Sequence, residues 1–228
     1  IEYNGMWLVS NFEKMQLPTG WGVEQQITCV DGSTFQIYMA NMKSIFMDMI
    51  KNTDMVIFNR CKKEDPLPTY RRGIKVANQR AEVIFEDEEG ELGDIFQDEM
   101  PFDMNAPVIE ILPEDYGIWF VDAMDHPENY EGKTVKFKAR VMKPRGMGSK
   151  FFVPGRTAMT CCADDTTFLG YVCKSAYAPK LTPGEWVEVT AKVGIEKRNE
   201  YQGEEGIVLD AEHVEQCDPL EDEMVYFN

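Results

Sequence analysis

The ten residues from Thr134 to Lys143, TVKFKARVMK, alternate without a break: Val135, Phe137, Ala139 and Val141 fall on one face, lysines and an arginine on the other. A period of two held this long is the signature of a strand with one buried and one wet face. Such a strand needs neighbours to cover its apolar side, and the residues that follow supply them. Lys150 to Thr160, Phe168 to Ser175, Trp186 to Ile195 and Gly206 to Val214 all read as strands. Gly146 and Gly148, Pro183-Gly184 and Tyr201-Gln202-Gly203 mark the corners between them. Five short strands with glycine-rich corners predict a small antiparallel Greek-key barrel of the OB type. Upstream, Val108 to Leu112 reads as a short strand and Pro113 opens a helix over Glu114 to Asp125. The proline's missing N–H costs little in a first turn, and Glu114 and Asp115 suit the positive helix end. The expected domain is 107–228, a barrel preceded by a short helix, within a mainly β, α+β chain.

Residues 1–100 are expected to form a β-rich region with one helix. Gly5 to Phe12, Val23 to Val30, Thr34 to Met39, Met55 to Phe58 and Gly73 to Phe85 read as strands. Asp31-Gly32 reads as the turn of a hairpin. Asn41 to Ile50 carries Met42, Ile45, Phe46 and Met49 at helical spacing behind Asn41 as N-cap. Pro66 and Pro68 read as breaks. The acidic run from Glu86 to Glu99 reads as an interdomain linker or a solvated loop, and it lacks the spacing of a calcium loop.

Charge narrows the function. The 40 acidic residues outnumber the 23 lysines and arginines, for a formal net charge of −17. A surface of that sign repels phosphate backbones and anionic lipid, so neither nucleic acid nor direct lipid binding is expected. No run of about 18 apolar residues occurs. The chain begins at Ile1, and any membrane segment is expected before it.

The sharpest chemical feature is Cys161-Cys162-Ala163-Asp164-Asp165. Adjacent cysteines on a strand point to opposite faces. Cys161, Cys162, Asp164, Asp165 and Cys173 are therefore a candidate thiolate and carboxylate set, with zinc the candidate metal, a core cysteine beside a turn the plainer alternative, and disulfide or redox chemistry a third. A second candidate is the chain's one basic region, Arg140, Arg145, Lys150 and Arg156, read as a surface for an anionic ligand or a partner loop. Phe151, Phe152, Phe168, Tyr171 and Trp186 are the aromatic side chains available for base stacking. His126 and His213 stand far apart, and no nucleophile-elbow, phosphate-loop or zinc-protease motif is present, so no catalytic residues are assigned.

Several blocks carry a family resemblance: Asp125-His126-Pro127-Glu128-Asn129-Tyr130-Glu131-Gly132-Lys133, Phe151-Phe152-Val153 with Arg156, and Met159-Thr160-Cys161-Cys162-Ala163-Asp164-Asp165, together with Gly170, Trp186-Val187 and Val225-Tyr226. From Ile109 onward the chain resembles the YcgQ-like family, bacterial permease-subunit proteins that end in a domain of unknown function. The resemblance implies membrane helices before Ile1, a membrane-associated place in the cell envelope and a permease subunit as partner. It implies no reaction and does not reach the first hundred residues. The expected function is a non-enzymatic binding or accessory module acting by protein contact, with metal binding as an added role. The alternatives are an OB-type nucleotide or nucleic-acid binder and a thiol-based redox protein.

Overall fold

The computed structural model of the chain describes residues 1–93, 100–162 and 165–226, leaving aside the side chains at 161, 162 and 165. The protein is α+β with strand predominating, and it divides into two compact units, Ile1–Asp98 with Thr160–Thr166 and Glu99–Met159 with Thr167–Tyr226.

In the first unit, α1 (Val9–Glu13) precedes β1 (Ile27–Asp31), α2 (Phe35–Ile50), β2 (Met55–Asn59), α3 (Leu67–Ala77) and β3 (Glu82–Phe85). The three strands form a parallel sheet in the order β1-β2-β3, with Val30 opposite Phe58 and Phe58 opposite Phe85. Parallel neighbours need a crossover, which α2 and α3 supply. Phe46, Met47 and Ile50 from α2 and Leu67, Tyr70 and Ile74 from α3 pack with Val30, Val56, Phe58 and Phe85. Phe35 sits among them, its ring edge-on to Phe46, Phe58 and Tyr70 at centroid distances of 5.1, 4.9 and 4.7 Å.

This unit corrects the one-helix expectation. Asp31-Gly32 is the corner of a strand-to-helix connection, not a hairpin: the Asp31 side chain accepts the Ser33 N–H, and Gly32 packs so closely that a Cβ there would lie 2.8 Å from the Cys61 sulfur. Thr34 to Met39 enters α2, whose backbone is kinked at Met42; Phe35, Tyr38 and Met39 pack on the core at helical spacing, so this stretch is helix and not strand. Pro68 lies in the first turn of α3, where proline is tolerated, and Gly73 belongs to that helix. Gly5 to Phe12 is a turn followed by α1. Of the acidic run, Asp87 to Gly90 is a turn in which the Asp87 carboxylate accepts the Glu89 and Gly90 N–H groups.

The second unit contains β4 (Ile109–Glu110), α4 (Tyr116–Asp125), β5 (Thr134–Met142), β6 (Phe151–Cys162) as far as Met159, β7 (Asp165–Gly170) from Thr167, β8 (Val172–Lys174), β9 (Trp186–Lys197), β10 (Glu205–Gln216) and β11 (Met224–Val225). Strand boundaries follow the expected ones within a few residues, and β5 buries Val135, Phe137, Ala139 and Val141 as its alternation requires. β5 pairs antiparallel with β9 and with β6, β9 with β10, and β6 with β8. The unit departs from an all-antiparallel array. β8 and β10 are parallel, as are β4 with β5 and β11 with β6, and the expected third strand is divided at Gly170-Tyr171 into β7, which pairs with β6, and β8, which pairs with β6 and β10. α4 covers the sheet through Trp119, whose ring lies 4.8 Å from Phe137, and Phe120, which stacks on Tyr171 at 4.8 Å. The Tyr116 hydroxyl donates to the Leu169 carbonyl at 3.0 Å.

Gly155 on β6 and Gly170 at the end of β7 let two backbones nearly touch. A Cβ on Gly155 would lie 2.3 Å from the Leu169 oxygen, and one on Gly170 2.6 Å from the Pro154 oxygen. Backbone cannot yield as a flexible side chain can. Gly155→Ala is therefore expected to destabilise the protein by about 1–3 kcal/mol, the usual range for overpacking. Gly194→Ala, with only a 3.7 Å contact at its site, serves as the reference in urea titrations and should stay within about 0.5 kcal/mol of the parent.

Candidate functional site

Two connections at one end of the second unit bring the useful groups together. The β5–β6 loop carries Lys143, Arg145 and Lys150, and turns at Gly146, whose φ is +87°. The β9–β10 loop carries Arg198, Asn199, Glu200 and Tyr201, then Gln202 and Gly203 with φ of +59° and +87°. Residues 144–147 and 197–200 line a cleft of about 540 Å³ between the loops.

The second loop is held in place from below. The Tyr201 hydroxyl donates to the Ile207 carbonyl and accepts the Val172 N–H at 3.2 Å, tying the loop to β10 and β8. Gly206 leaves room for that ring, since a Cβ there would stand 2.6 Å from it. Arg198 donates to both oxygens of Glu200 at 3.2 and 3.0 Å, approaches Glu196 at 3.5 Å, and lies 4.4 Å over the Phe151 ring. The bidentate pair and the ring fix the guanidinium plane. The result is a pre-shaped cleft with Arg145 and Lys197 exposed on it and Glu200 in its wall.

The basic residues expected to form one surface divide by role. Arg145 lines the cleft and Lys150 is exposed at the end of its loop. Arg140 is exposed and donates to the Gly184 carbonyl at 3.1 Å, bracing a turn. The neighbouring Lys143 is turned to structure, its ammonium bonded to the carbonyls of Ala178 and Leu181 at 2.6 Å each. Arg156 is not a surface residue at all: it is only 2% exposed. Its guanidinium donates to the Pro113 carbonyl and, at 3.0 Å each, to the carbonyls of Asp222 and Met224, above the Tyr116 ring. Burying a long polar side chain is costly unless its donors find acceptors; here three main-chain carbonyls meet the two terminal nitrogens, while Nε is buried without a partner. Arg156 thus joins the start of the helical segment to the C-terminal strap. Arg156→Met should leave those carbonyls without a donor, lowering stability by about 2–4 kcal/mol and accelerating amide exchange at Met224 and Val225 in hydrogen-exchange mass spectrometry.

Sequence reading missed the second loop. Its signal was present as Lys197-Arg198-Asn199-Glu200 between two strands, but only the glycine turn that follows draws attention in a linear reading. Of the aromatic side chains, Phe152, Tyr171 and Trp186 are buried, Phe151 lies beneath Arg198, and Phe168 is half-buried. A larger cavity of about 1000 Å³ in the first unit is lined by apolar side chains including Phe12, Trp21 and Met49.

Of the thiolate and carboxylate set, Asp164 and the side chains of Cys161, Cys162 and Asp165 lie outside the described residues. Cys173 is fully buried, with Phe152 at the start of β6 as its ladder partner, whereas Cys161 and Cys162 are the last two residues of that strand. Among the described residues no group of three or more His, Cys, Asp or Glu is placed to hold a metal. Burial, aided by Asp65, pushes the Cys61 thiol up to about 11, and burial beside Asp210 pushes Cys173 higher still. Both thiols are protonated at neutral pH and screened from reagents, whereas Cys29 is exposed. Iodoacetamide at neutral pH should label Cys29 in the native protein and reach Cys61 and Cys173 only after denaturation, as read by peptide mass spectrometry. Rapid native labelling of either buried thiol would contradict the burial.

A chain with a parallel α/β unit and a predominantly antiparallel β unit is, by class, an α+β protein. From residue 91 to 227 it matches the DUF1980 C-terminal domain, a domain of unknown function, and the chain belongs to that family. The first 90 residues lie outside the match. No curated protein matches the chain. Among solved structures, it is similar to the mitochondrial single-stranded DNA binding protein Rim1 from S. cerevisiae, with 10% identity over 39% of this chain and 97% of that one and a TM-score of 0.24. It is also similar to the aspartyl-tRNA synthetase from Entamoeba histolytica, with 18% identity over 46% of this chain and 22% of that one and a TM-score of 0.26. Likenesses this distant carry no functional inference.

Proposed function

We propose that the second unit is a closed five-stranded barrel of the OB type and that the protein is a non-enzymatic binding module whose working surface is the cleft between the β5–β6 and β9–β10 loops. Support for the barrel comes from the pairings, which run β5 to β6, β6 to β8, β8 to β10, β10 to β9 and β9 back to β5. Loops at one end of such barrels are a recurrent place for ligands. The observation that carries the functional reading is the pre-shaped cleft itself, with Arg145 and Lys197 exposed in a chain of net charge −17. A rigid concave site with a few convergent polar groups suits binding. The buried, protonated thiols of Cys61 and Cys173 weigh against a thiol-based reaction at those positions.

The resemblance to permease-subunit proteins adds the partner and the place: a membrane-associated accessory protein of the cell envelope that contacts a permease subunit. Co-expression of the full chain with that subunit tests both. Arg145→Glu with Lys197→Glu should abolish co-purification, whereas Lys62→Glu with Lys63→Glu, exposed positions in the first unit, should leave it intact. Co-purification that survives the cleft reversal would sink the cleft as the working surface.

A further inference from the structure

We infer that the occupant of the cleft is an acidic peptide segment of a protein partner, seated with its carboxylates against Arg145 and Lys197. This rests on the reading above that the cleft is the module's binding surface, and it names the chemistry that surface selects.

Arg198 is the most constrained cation of the cleft, and its charge is already answered by Glu196 and Glu200. Arg145 and Lys197 are exposed and have no ion-pair partner among the described residues. These two cations, one on the β5–β6 loop and one at the end of β9 opposite Glu205, form a local positive site on a strongly acidic molecule. Screening confines such a site to roughly 8 Å at physiological salt. A short segment bearing a few carboxylates meets mainly the local field, whereas an extended polyphosphate also meets the repulsion of the surrounding acidic surface.

The other lining groups separate a peptide from a phosphate. Glu200 stands in the wall, so a phosphate would be placed beside a carboxylate. For a peptide, that carboxylate and the Asn199 amide offer acceptors and a donor to main-chain N–H and C=O groups. Met147 adds an apolar contact that adjusts to a neighbouring side chain. A volume of about 540 Å³ lies within the roughly 300–1,000 Å³ of ligand sites, suited to a few residues. The pinned second loop and the Arg198–Phe151 stack supply the rigidity that limits the ordering cost of capture.

The test uses the full chain and a fluorescently labelled, capped hexaglutamate peptide, read by anisotropy at low and high salt. A hexaglutamine peptide and a thymidine oligonucleotide serve as comparison probes. Saturable, salt-sensitive binding of hexaglutamate is expected, about tenfold or more weaker in Arg145→Glu with Lys197→Glu and unchanged in Lys62→Glu with Lys63→Glu. Thermal unfolding of each variant, and the milder Arg145→Ala with Lys197→Ala pair, separate lost binding from lost fold. Equal binding of both peptides, preference for the oligonucleotide, or binding that survives the cleft variants overturns the acidic occupant. If hexaglutamate fails to bind while cleft reversal still abolishes permease co-purification, the acidic occupant falls and the cleft reading stands. If co-purification also survives, both fall.

Discussion

The second unit depends on what a single strand, β6, can do without a side chain at one position. In its first eight residues β6 serves β8 through Phe151 and Phe152, β5 through Val153 to Gly155, and β11 through Thr157 and Ala158. A strand that changes partners so quickly passes very close to a neighbouring backbone, and Gly155 meets Gly170 at that crossing. The next residue is Arg156, the buried cation that holds the carbonyls of Pro113, Asp222 and Met224. Successive residues of a strand face opposite ways. One position therefore permits the crossing while its neighbour fastens the helical segment and the C-terminal strap on the other side.

The same strand reaches the cleft. Phe151, its first residue, lies under the Arg198 guanidinium. That placement couples the two loops: the start of β6 fixes where the β5–β6 loop ends, and its ring fixes how the β9–β10 loop stands. Tyr201 completes the arrangement by holding β10 and β8 together beneath its own loop. The cleft is thus shaped by contacts that the pairing already requires, which leaves Arg145 and Lys197 free of structural duty.

How much of this was legible depended on whether a signal was local. β5 and β9 could be read because alternation is a property of consecutive residues, and their buried faces obey it; β10 departs from it, with Ile207, Val208 and Leu209 all buried and a register shift between Ala211 and His213. The first unit was misread where one local signal serves two structures. Asp31-Gly32 suits a hairpin turn and a strand-to-helix corner equally well, and only the contact with Cys61 decides between them. Pro68 reads as a break until a helix is seen to begin beside it. The division of β7 from β8 was invisible because β8 alone also pairs with β10, a strand distant in sequence. Arg156 was misplaced for a related reason. An arginine in an alternating strand is assigned to solvent by default, and its acceptors lie 43, 66 and 68 residues away along the chain.

Comparing Arg156 with Arg145 gives the last step from structure to function. Both are cations in an acidic protein, and composition treats them alike. Arg156 is desolvated and its two terminal nitrogens are bonded to main-chain carbonyls; burial lowers its pKa, and its charge serves the fold. Arg198 is intermediate: its charge is answered by two carboxylates and its plane by a ring, which makes it part of the wall. Arg145 and Lys197 have neither arrangement and face the cleft. A solvated cation on a flexible side chain adds little to stability. What it can do is meet an opposite charge arriving from outside, and the rigid wall beside it sets where that charge must lie. The gradient from buried, to braced, to free basic side chains is the physical basis for reading this end of the molecule as a binding surface.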